Sequence, residues 1–209
     1  MVVKNAKNSV GVLALQGDFD KHLSALYAVN VNGKLVRTET ELLSVDGLII
    51  PGGESTAMTK LIKAFGLEEP LREFVKTRPV MGTCAGLILL SNQTESDRVI
   101  GFGAINIELK RNAFGRQLDS FSADISLEFD DGNPFHALFI RAPKILNTGE
   151  DVIPLATHKG ETVMARNSNV LVTSFHPELT NNLAIHKYFI NQLLLSKEKF
   201  KLNVRKTVR

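Results

Sequence analysis

Residues 79–90 of the chain read PVMGTCAGLILL. This stretch has the pattern of a short buried strand that turns at once into a helix, with the only cysteine of the chain, Cys84, at the turn. Gly82 and Gly86 on either side allow a tight elbow that projects the side chain of Cys84 clear of the sheet. The first turn of a helix favours an ionised sulfur through its unpaired N–H groups and positive dipole. We therefore predict that Cys84 is a nucleophile; a buried structural thiol is the alternative reading.

Strand and helix patterns alternate on both sides of this elbow. Strands are predicted at 10–16, 35–38, 46–50 and 80–83, and helices at 19–29, 56–65, 67–76 and 85–90. Six further strand candidates follow at 104–109, 121–129, 137–141, 152–157, 162–165 and 170–174, before an amphipathic helix at about 182–195. The pattern predicts an α/β fold: an open, mostly parallel sheet with helices on both faces and an antiparallel extension.

The length of 209 residues and the hydrophobic content of 44% predict one globular domain, 1–209, with a core at about 10–196. Residues 197–209 form a basic C-terminal tail that carries much of the positive charge, and the rest of the chain is slightly acidic. No aromatic-rich basic platform accompanies the tail, so we expect no nucleic-acid partner.

Cysteine usage and hydropathy bear on the compartment. A single cysteine excludes an internal disulfide framework and a cysteine-based zinc site, which favours a reducing compartment. The apolar run at 10–15 is too short for a signal peptide core or a membrane span. We therefore expect a cytoplasmic protein with no membrane contact.

A candidate base for the cysteine follows the apolar run at 170–174. His176 and Glu178 are two residues apart, and in an extended backbone they would share a face. A carboxylate bonded to one ring nitrogen leaves the other nitrogen free to accept the thiol proton. This spacing indicates a Cys-His-Glu triad, although a surface turn after a strand would also explain His-Pro-Glu on its own.

A glycine pair, Gly52-Gly53, ends the predicted strand at 46–50 just before a helix. Backbone N–H groups in such a turn can point at a developing oxyanion. The structural alternative is a tight turn with an N-cap at Ser55. No Gly-Lys-Ser/Thr follows, which argues against a nucleotide site, so we expect no cofactor.

The cysteine, the histidine and the glycine pair each follow a predicted strand, and open parallel sheets bind ligands along that edge. The remaining histidines are less informative: His22 and His186 fall on helical patterns, and His136 and His158 lie near loops. No His-x-x-x-His pattern or acidic cluster suggests metal ligands, so we expect no metal.

Six blocks together resemble the triad class (class I) of glutamine amidotransferases, a flavodoxin-like fold, and more narrowly the glutaminase subunits of pyridoxal phosphate synthase. The resemblance extends from residue 10 to about 189. The blocks are GVLALQG at 11–17, PGGEST at 51–56, GTCAG at 82–86, RNAFGRQ at 111–117, FIRAP at 139–143 and FHPELT at 175–180.

The resemblance implies roles for individual residues. Cys84 is then the nucleophile, His176 the general base and then acid, and Glu178 its orienting carboxylate. Six residues are expected around the substrate, with Glu54 suited to the ammonium and an arginine to the carboxylate of L-glutamine. They are Gly52, Gly53, Glu54, Arg111, Ile140 and Arg141.

The resemblance also implies the oxyanion site and the partner. Backbone N–H groups near Gly53 and Ala85 are the expected oxyanion donors, and Gln16 corresponds to a subunit-interface residue that helps to form that hole. The implied reaction passes through a glutamyl thioester and releases ammonia. The ammonia then travels through a tunnel to a barrel-shaped pyridoxal 5′-phosphate synthase subunit within a large hetero-oligomer.

Two alternatives stay open at this point. The chain could be the glutaminase subunit of another amidotransferase, serving tryptophan, histidine or nucleotide synthesis, or a non-catalytic docking or regulatory module. One departure from the family pattern is visible after Thr180, where relatives tend to carry an aspartate and an arginine and this chain has Asn182 and Ala184. That departure concerns the start of the last helix and its contacts with a partner.

Overall fold

The computed structural model describes residues 8–93, 98–110 and 120–195. A seven-stranded sheet runs through its centre. In order across the sheet, its strands are β10 Ile153–His158, β11 Glu161–Arg166, β12 Val170–Thr173, β4 Val80–Thr83, β3 Gly47–Ile50, β1 Ser9–Leu13 and β2 Asn32–Val36. The five strands from β12 to β2 are parallel, and β11 and β10 continue the sheet in antiparallel orientation. This confirms the predicted fold class.

The strands of the central sheet and the helices alternate through the first half of the chain. The helices are α1 Phe19–Ala28, α2 Glu39–Leu43, α3 Ser55–Ala64, α4 Glu68–Thr77, α5 Ala85–Leu90 and α6 Ala184–Tyr188, which continues as a π-helical segment, Phe189–Leu194.

Two smaller sheets complete the described residues. One has three strands, β5 Ser91–Gln93, β6 Ile105–Lys110 and β9 Lys144–Thr148, and the other is a two-stranded ribbon, β7 Ser120–Leu127 and β8 Asp130–Ile140. In the ribbon, Ser120 pairs with Ile140 and Leu127 with Asp130, so its open end leads directly into residue 141.

Side-chain alternation along the central strands builds a core on each face of the sheet. In β3, Leu48 and Ile50 join the core beneath α2 to α5, whereas Ile49 joins the core with α1 and α6. Successive side chains of a strand point to opposite faces, so a strand covered on both faces is apolar throughout. Each fully buried side chain of this size stabilises the fold by roughly 1.5–3 kcal/mol. The helices therefore cover both faces, as predicted.

Some local predictions differ from the structure. Helix α2 and strands β5 and β9 were not predicted, and the last helix begins at Ala184 rather than at 182. The candidates at 121–129 and 137–141 belong to one long hairpin, in which β8 has eleven residues. His136 lies within β8, and His158 is the last residue of β10.

Among the described residues, no helix combines the length and the apolar character needed to span a membrane. The basic tail at 197–209 lies outside the described residues.

Candidate active site

Cys84 occupies a strained elbow between β4 and α5. Its backbone has φ 48° and ψ −100°, a conformation that costs of order 1–3 kcal/mol for a residue with a side chain. The Cys84 N–H donates to the carbonyl of Thr173 at 2.8 Å, which ties the elbow to β12. A Cβ on Gly86 would stand 2.1 Å from the carbonyl oxygen of Ile50, so only glycine allows this close approach.

His176 follows β12 and is held from two sides. Its N–H donates to the carbonyl of Leu138 in β8 at 2.9 Å, and its Nδ1 lies 2.7 Å from Oε1 of Glu178. Both side chains are buried. The connection is not the extended backbone that the spacing predicted: Pro177–Leu179 forms a 3-10 turn. The carboxylate still reaches the ring because the turn folds back on the residue that precedes it.

Electrostatics make His176 a cation at neutral pH. Burial alone would lower the pKa of this imidazole, but hydrogen bonds to Cys84 and Glu178, and the charges of both groups, outweigh it. Together they raise the pKa of His176 from 6.5 to about 10. An imidazolium next to a thiol is the arrangement that stabilises a thiolate nucleophile. The Cys84 Sγ also lies 3.8 Å from the carbonyl oxygen of Ile140.

The glycine-pair turn is organised by Glu54 and Gln16. The Glu54 carboxylate caps helix α3: Oε1 accepts from the N–H of Thr56 at 3.0 Å, and Oε2 accepts from that of Ala57 at 2.7 Å. Glu54, not Ser55, is therefore the N-cap. The Glu54 N–H donates to Oε1 of Gln16 at 3.1 Å, which links the turn to the end of β1.

A cleft of about 270 Å³ opens where these three segments meet. Its lining includes eight of the eleven predicted site residues. The lining residues are Gln16, Gly17, Asp18, Gly52, Gly53, Glu54, Ser55, Cys84, Ile88, Ile140, Arg141, Pro143 and His176.

Glu178 and Ala85 are not part of this lining. Glu178 lies behind His176, and Ala85 begins α5 beside Cys84, so its N–H has no acceptor within the helix. Arg111, predicted at the substrate, lies outside the described residues. Arg141 follows the ribbon with a positive φ of 43° and is exposed at the cleft.

Sequence reasoning missed several residues of this region. Asp18, Ser55, Ile88 and Pro143 line the cleft, and each is adjacent or close in sequence to a predicted site residue, which is the only signal that could have found them. The two helical histidines, His22 and His186, were set aside, yet both are fully buried behind the triad. Within residues 8–93, 98–110 and 120–195, no group of three His, Cys, Asp or Glu side chains could hold a metal ion.

Comparisons with known proteins find relatives that match most of this chain. A relative from Thermosipho africanus, named pyridoxal 5'-phosphate synthase subunit PdxT, is 47% identical over 185 residues, covering 88% of this chain and 98% of the relative. A relative of the same name from Acidothermus cellulolyticus is 47% identical over 199 residues, covering 91% and 96%.

Solved structures show the same fold. A crystal structure described as that of a glutamine amidotransferase is 40% identical, with a TM-score of 0.81, and covers 88% of this chain and 98% of its own. A putative GMP synthase subunit from Thermoplasma acidophilum is 18% identical with a TM-score of 0.64, covering 93% of this chain and 98% of its own, which shows a shared fold alone. The sequence profile of the SNO glutamine amidotransferase family matches residues 12–195. This chain therefore belongs to the SNO glutamine amidotransferase family.

Proposed function

We propose that the chain is the glutaminase subunit of a pyridoxal 5′-phosphate synthase, which hydrolyses L-glutamine to L-glutamate and ammonia and delivers the ammonia to a synthase subunit. The names and coverage of the relatives support the assignment. The observation that carries the chemistry is the line of Cys84, His176 and Glu178 at one cleft, with 2.7 Å between the imidazole and the carboxylate. That line argues against a non-catalytic docking module. Likeness to other amidotransferases at 18% identity concerns the fold and does not favour a different pathway.

The first half of the reaction is attack by sulfur. The Cys84 thiolate adds to the side-chain amide carbon of glutamine, and the carbonyl π electrons move to oxygen as an oxyanion. The N–H groups of Ala85 and Gly53 are our candidates for donors to that oxyanion. When the tetrahedral intermediate collapses, the C–N bond breaks and the His176 imidazolium gives its proton to the leaving nitrogen, so ammonia departs and a glutamyl thioester remains.

The second half is hydrolysis. The neutral His176 takes a proton from water, and the resulting hydroxide attacks the thioester carbon. The C–S bond then breaks, which restores the thiolate and the imidazolium and releases glutamate. Glu178 accepts the hydrogen bond from Nδ1 of His176 and stabilises the imidazolium.

Charges at the cleft suit the two ends of glutamine. Glu54 lines the cleft, and the negative charge of its carboxylate, which also caps α3, suits the substrate ammonium. Arg141 is exposed beside Cys84 and suits the substrate carboxylate, and Arg111 is the second candidate for that role. Gly52 and Ile140 complete the substrate wall, and Gln16 at the cleft is our candidate contact with the barrel-shaped synthase subunit.

The test measures glutamate release by the purified chain with and without a pyridoxal 5′-phosphate synthase subunit, and compares Cys84→Ala. We expect the synthase subunit to stimulate release and the substitution to lower it by at least about 10³-fold. Because Cys84 is the only cysteine, labelling by an electrophilic glutamine analogue reports the nucleophile directly. Unchanged glutamate release by Cys84→Ala would disprove the catalytic assignment, and stimulation only by a different synthase would disprove the pathway.

A further inference from the structure

Two buried histidines stand directly behind the candidate triad, on helices far apart in sequence. His22 belongs to α1 and His186 to α6, and neither is exposed to solvent. Nδ1 of His22 lies 3.0 Å from Nε2 of His186. On its other side, Nε2 of His22 lies 3.3 Å from Oγ1 of Thr83 and 3.4 Å from Oε2 of Glu178. The pair thus touches the carboxylate oxygen that His176 does not use.

That carboxylate oxygen needs a donor. Oε2 of Glu178 is buried and has no hydrogen-bond partner among the described residues. An ionised carboxylate can accept at both oxygens, and a buried charged oxygen without a donor is costly. The facing ring nitrogen of His22 is at a distance where a small rotation would complete a hydrogen bond.

Both rings are neutral at physiological pH. Burial lowers the pKa of His186 from 6.5 to about 4. Burial, and then the nearby His186 and His176, lower the pKa of His22 well below 6.5. Each ring therefore carries a single N–H, and the contact between them requires one ring to donate and the other to accept.

The surroundings favour one of the two proton arrangements, because the Thr83 hydroxyl can donate or accept whereas Oε2 of Glu178 accepts. If His22 donated from Nδ1, its bare Nε2 would face the acceptor Oε2 of Glu178. The second N–H of the pair would then lie at Nδ1 of His186, which is buried and has no hydrogen-bond partner among the described residues. If His186 donates from Nε2, His22 carries its proton on Nε2 and presents it to Thr83 and Glu178. The unpartnered Nδ1 of His186 is then a lone pair rather than an orphaned donor, which is the smaller penalty.

We propose that His22 and His186 are positioning residues for glutamine hydrolysis: His186 fixes the tautomer of His22, and the Nε2–H of His22 holds the Glu178 carboxylate in place for His176. The inference rests on the proposed function. It extends the triad to a line of five side chains, Cys84, His176, Glu178, His22 and His186, in which the two outer rings carry no net charge.

Replacement of His22 by Leu removes the donor at nearly constant apolar volume. We expect kcat for glutamine to fall about 10- to 100-fold, the range of a hydrogen bond to a charged group, with KM little changed because His22 does not line the cleft. A less stabilised Glu178 carboxylate also holds the imidazolium less firmly. The pKa of His176 then falls from about 10, and the alkaline limb of the activity profile moves to lower pH by about one unit.

His22→Gln is the conservative variant, because its terminal amide can donate from nearly the position of Nε2. We expect it to restore most of kcat and the position of the alkaline limb. If the ring of His22 only filled space, the amide donor of Gln would give no such recovery over Leu. His136→Gln is the matched control, since His136 is exposed in β8 and does not line the cleft. Its Nδ1 lies 2.8 Å from Oδ1 of Asp124. This control variant should leave both readouts unchanged.

His186→Leu decides the question if His22→Leu does not fold. It leaves His22 beside Glu178 but no longer fixes which ring nitrogen of His22 carries the proton. The alkaline limb should therefore move to lower pH, by a smaller amount than in His22→Leu. Folding of each variant is checked by circular dichroism and thermal unfolding. If the folded His22 or His186 variants keep the kcat and alkaline limb of the unmodified chain, the positioning role is overturned. If the unmodified chain itself releases no glutamate with the synthase subunit, the proposed function has failed instead.

Discussion

Substitution of Gly52 by Ala would push a methyl group directly into the catalytic imidazole. The new Cβ would stand 2.3 Å from Cε1 and 2.9 Å from Nδ1 of His176, whereas ordinary contacts begin at 3.4 Å. The turn cannot easily retreat, because the carbonyl oxygen of Gly52 already presses on Gly17, where a Cβ would lie 1.7 Å away. The ring must therefore move by about 1 Å away from the turn.

Such a displacement breaks the geometry of the triad without removing any of its members. The Nδ1 of His176 lies 2.7 Å from Oε1 of Glu178, so a shift of about 1 Å strains that bond and misaligns the ring with Cys84. A misplacement of this size costs about 10²-fold in rate. We expect kcat for glutamine to fall by about that factor in the presence of the synthase subunit.

The assay is steady-state glutamate release with and without the synthase subunit, together with the rate of Cys84 alkylation as a measure that needs no substrate. Gly33→Ala is the matched control, because its Cβ would approach Cδ1 of Leu23 at 2.6 Å, the flexible end of a side chain outside the cleft. We expect that variant to keep its activity. A Gly52→Ala enzyme within about threefold of the unmodified kcat would refute the steric reasoning.

Two further predictions concern stability. The pKa of His186 is about 4 in the folded chain and 6.5 in the unfolded chain, so the unfolded state binds more protons below pH 6.5 and the free energy of unfolding decreases as pH falls from 6.5 to 4. Urea unfolding should show about 2 kcal/mol less stability at pH 5 than at pH 7 from this group. His186→Leu should lose that part of the pH dependence. An unchanged slope in His186→Leu would contradict it. Thr38 and Glu41 cap α2 reciprocally, so Thr38→Ala should lower the free energy of unfolding by about 1 kcal/mol and leave glutaminase activity intact. Thr40→Ala, at an exposed position of the same helix, is the control. Equal stability of the two variants would show that the cap contributes nothing.

The local sequence was sufficient to predict a structural element where a few consecutive residues carry a distinctive pattern. Strand β4 and helix α5 coincide with the predicted 80–83 and 85–90, because apolar runs bounded by glycines have few other readings. The short helix α2, with five residues, and strand β9, with mostly exposed side chains, carry too little periodicity to be predicted. Buried strands of the core could therefore be predicted from the local sequence, whereas short or exposed elements at the surface could not.

The order of residues was enough to predict the fold class, the elbow at Cys84 and the pairing of His176 with Glu178, since each depends on neighbours in the chain. Contacts between distant segments became visible only in the folded chain. They are the hydrogen bond from His176 to the carbonyl of Leu138, the link from Glu54 to Gln16, and the contact of His22 with His186 across 164 positions. A buried helical histidine looks like any core residue in the sequence. Its role depends on which atoms the packing of two helices brings to its ring nitrogens, and no local pattern encodes that.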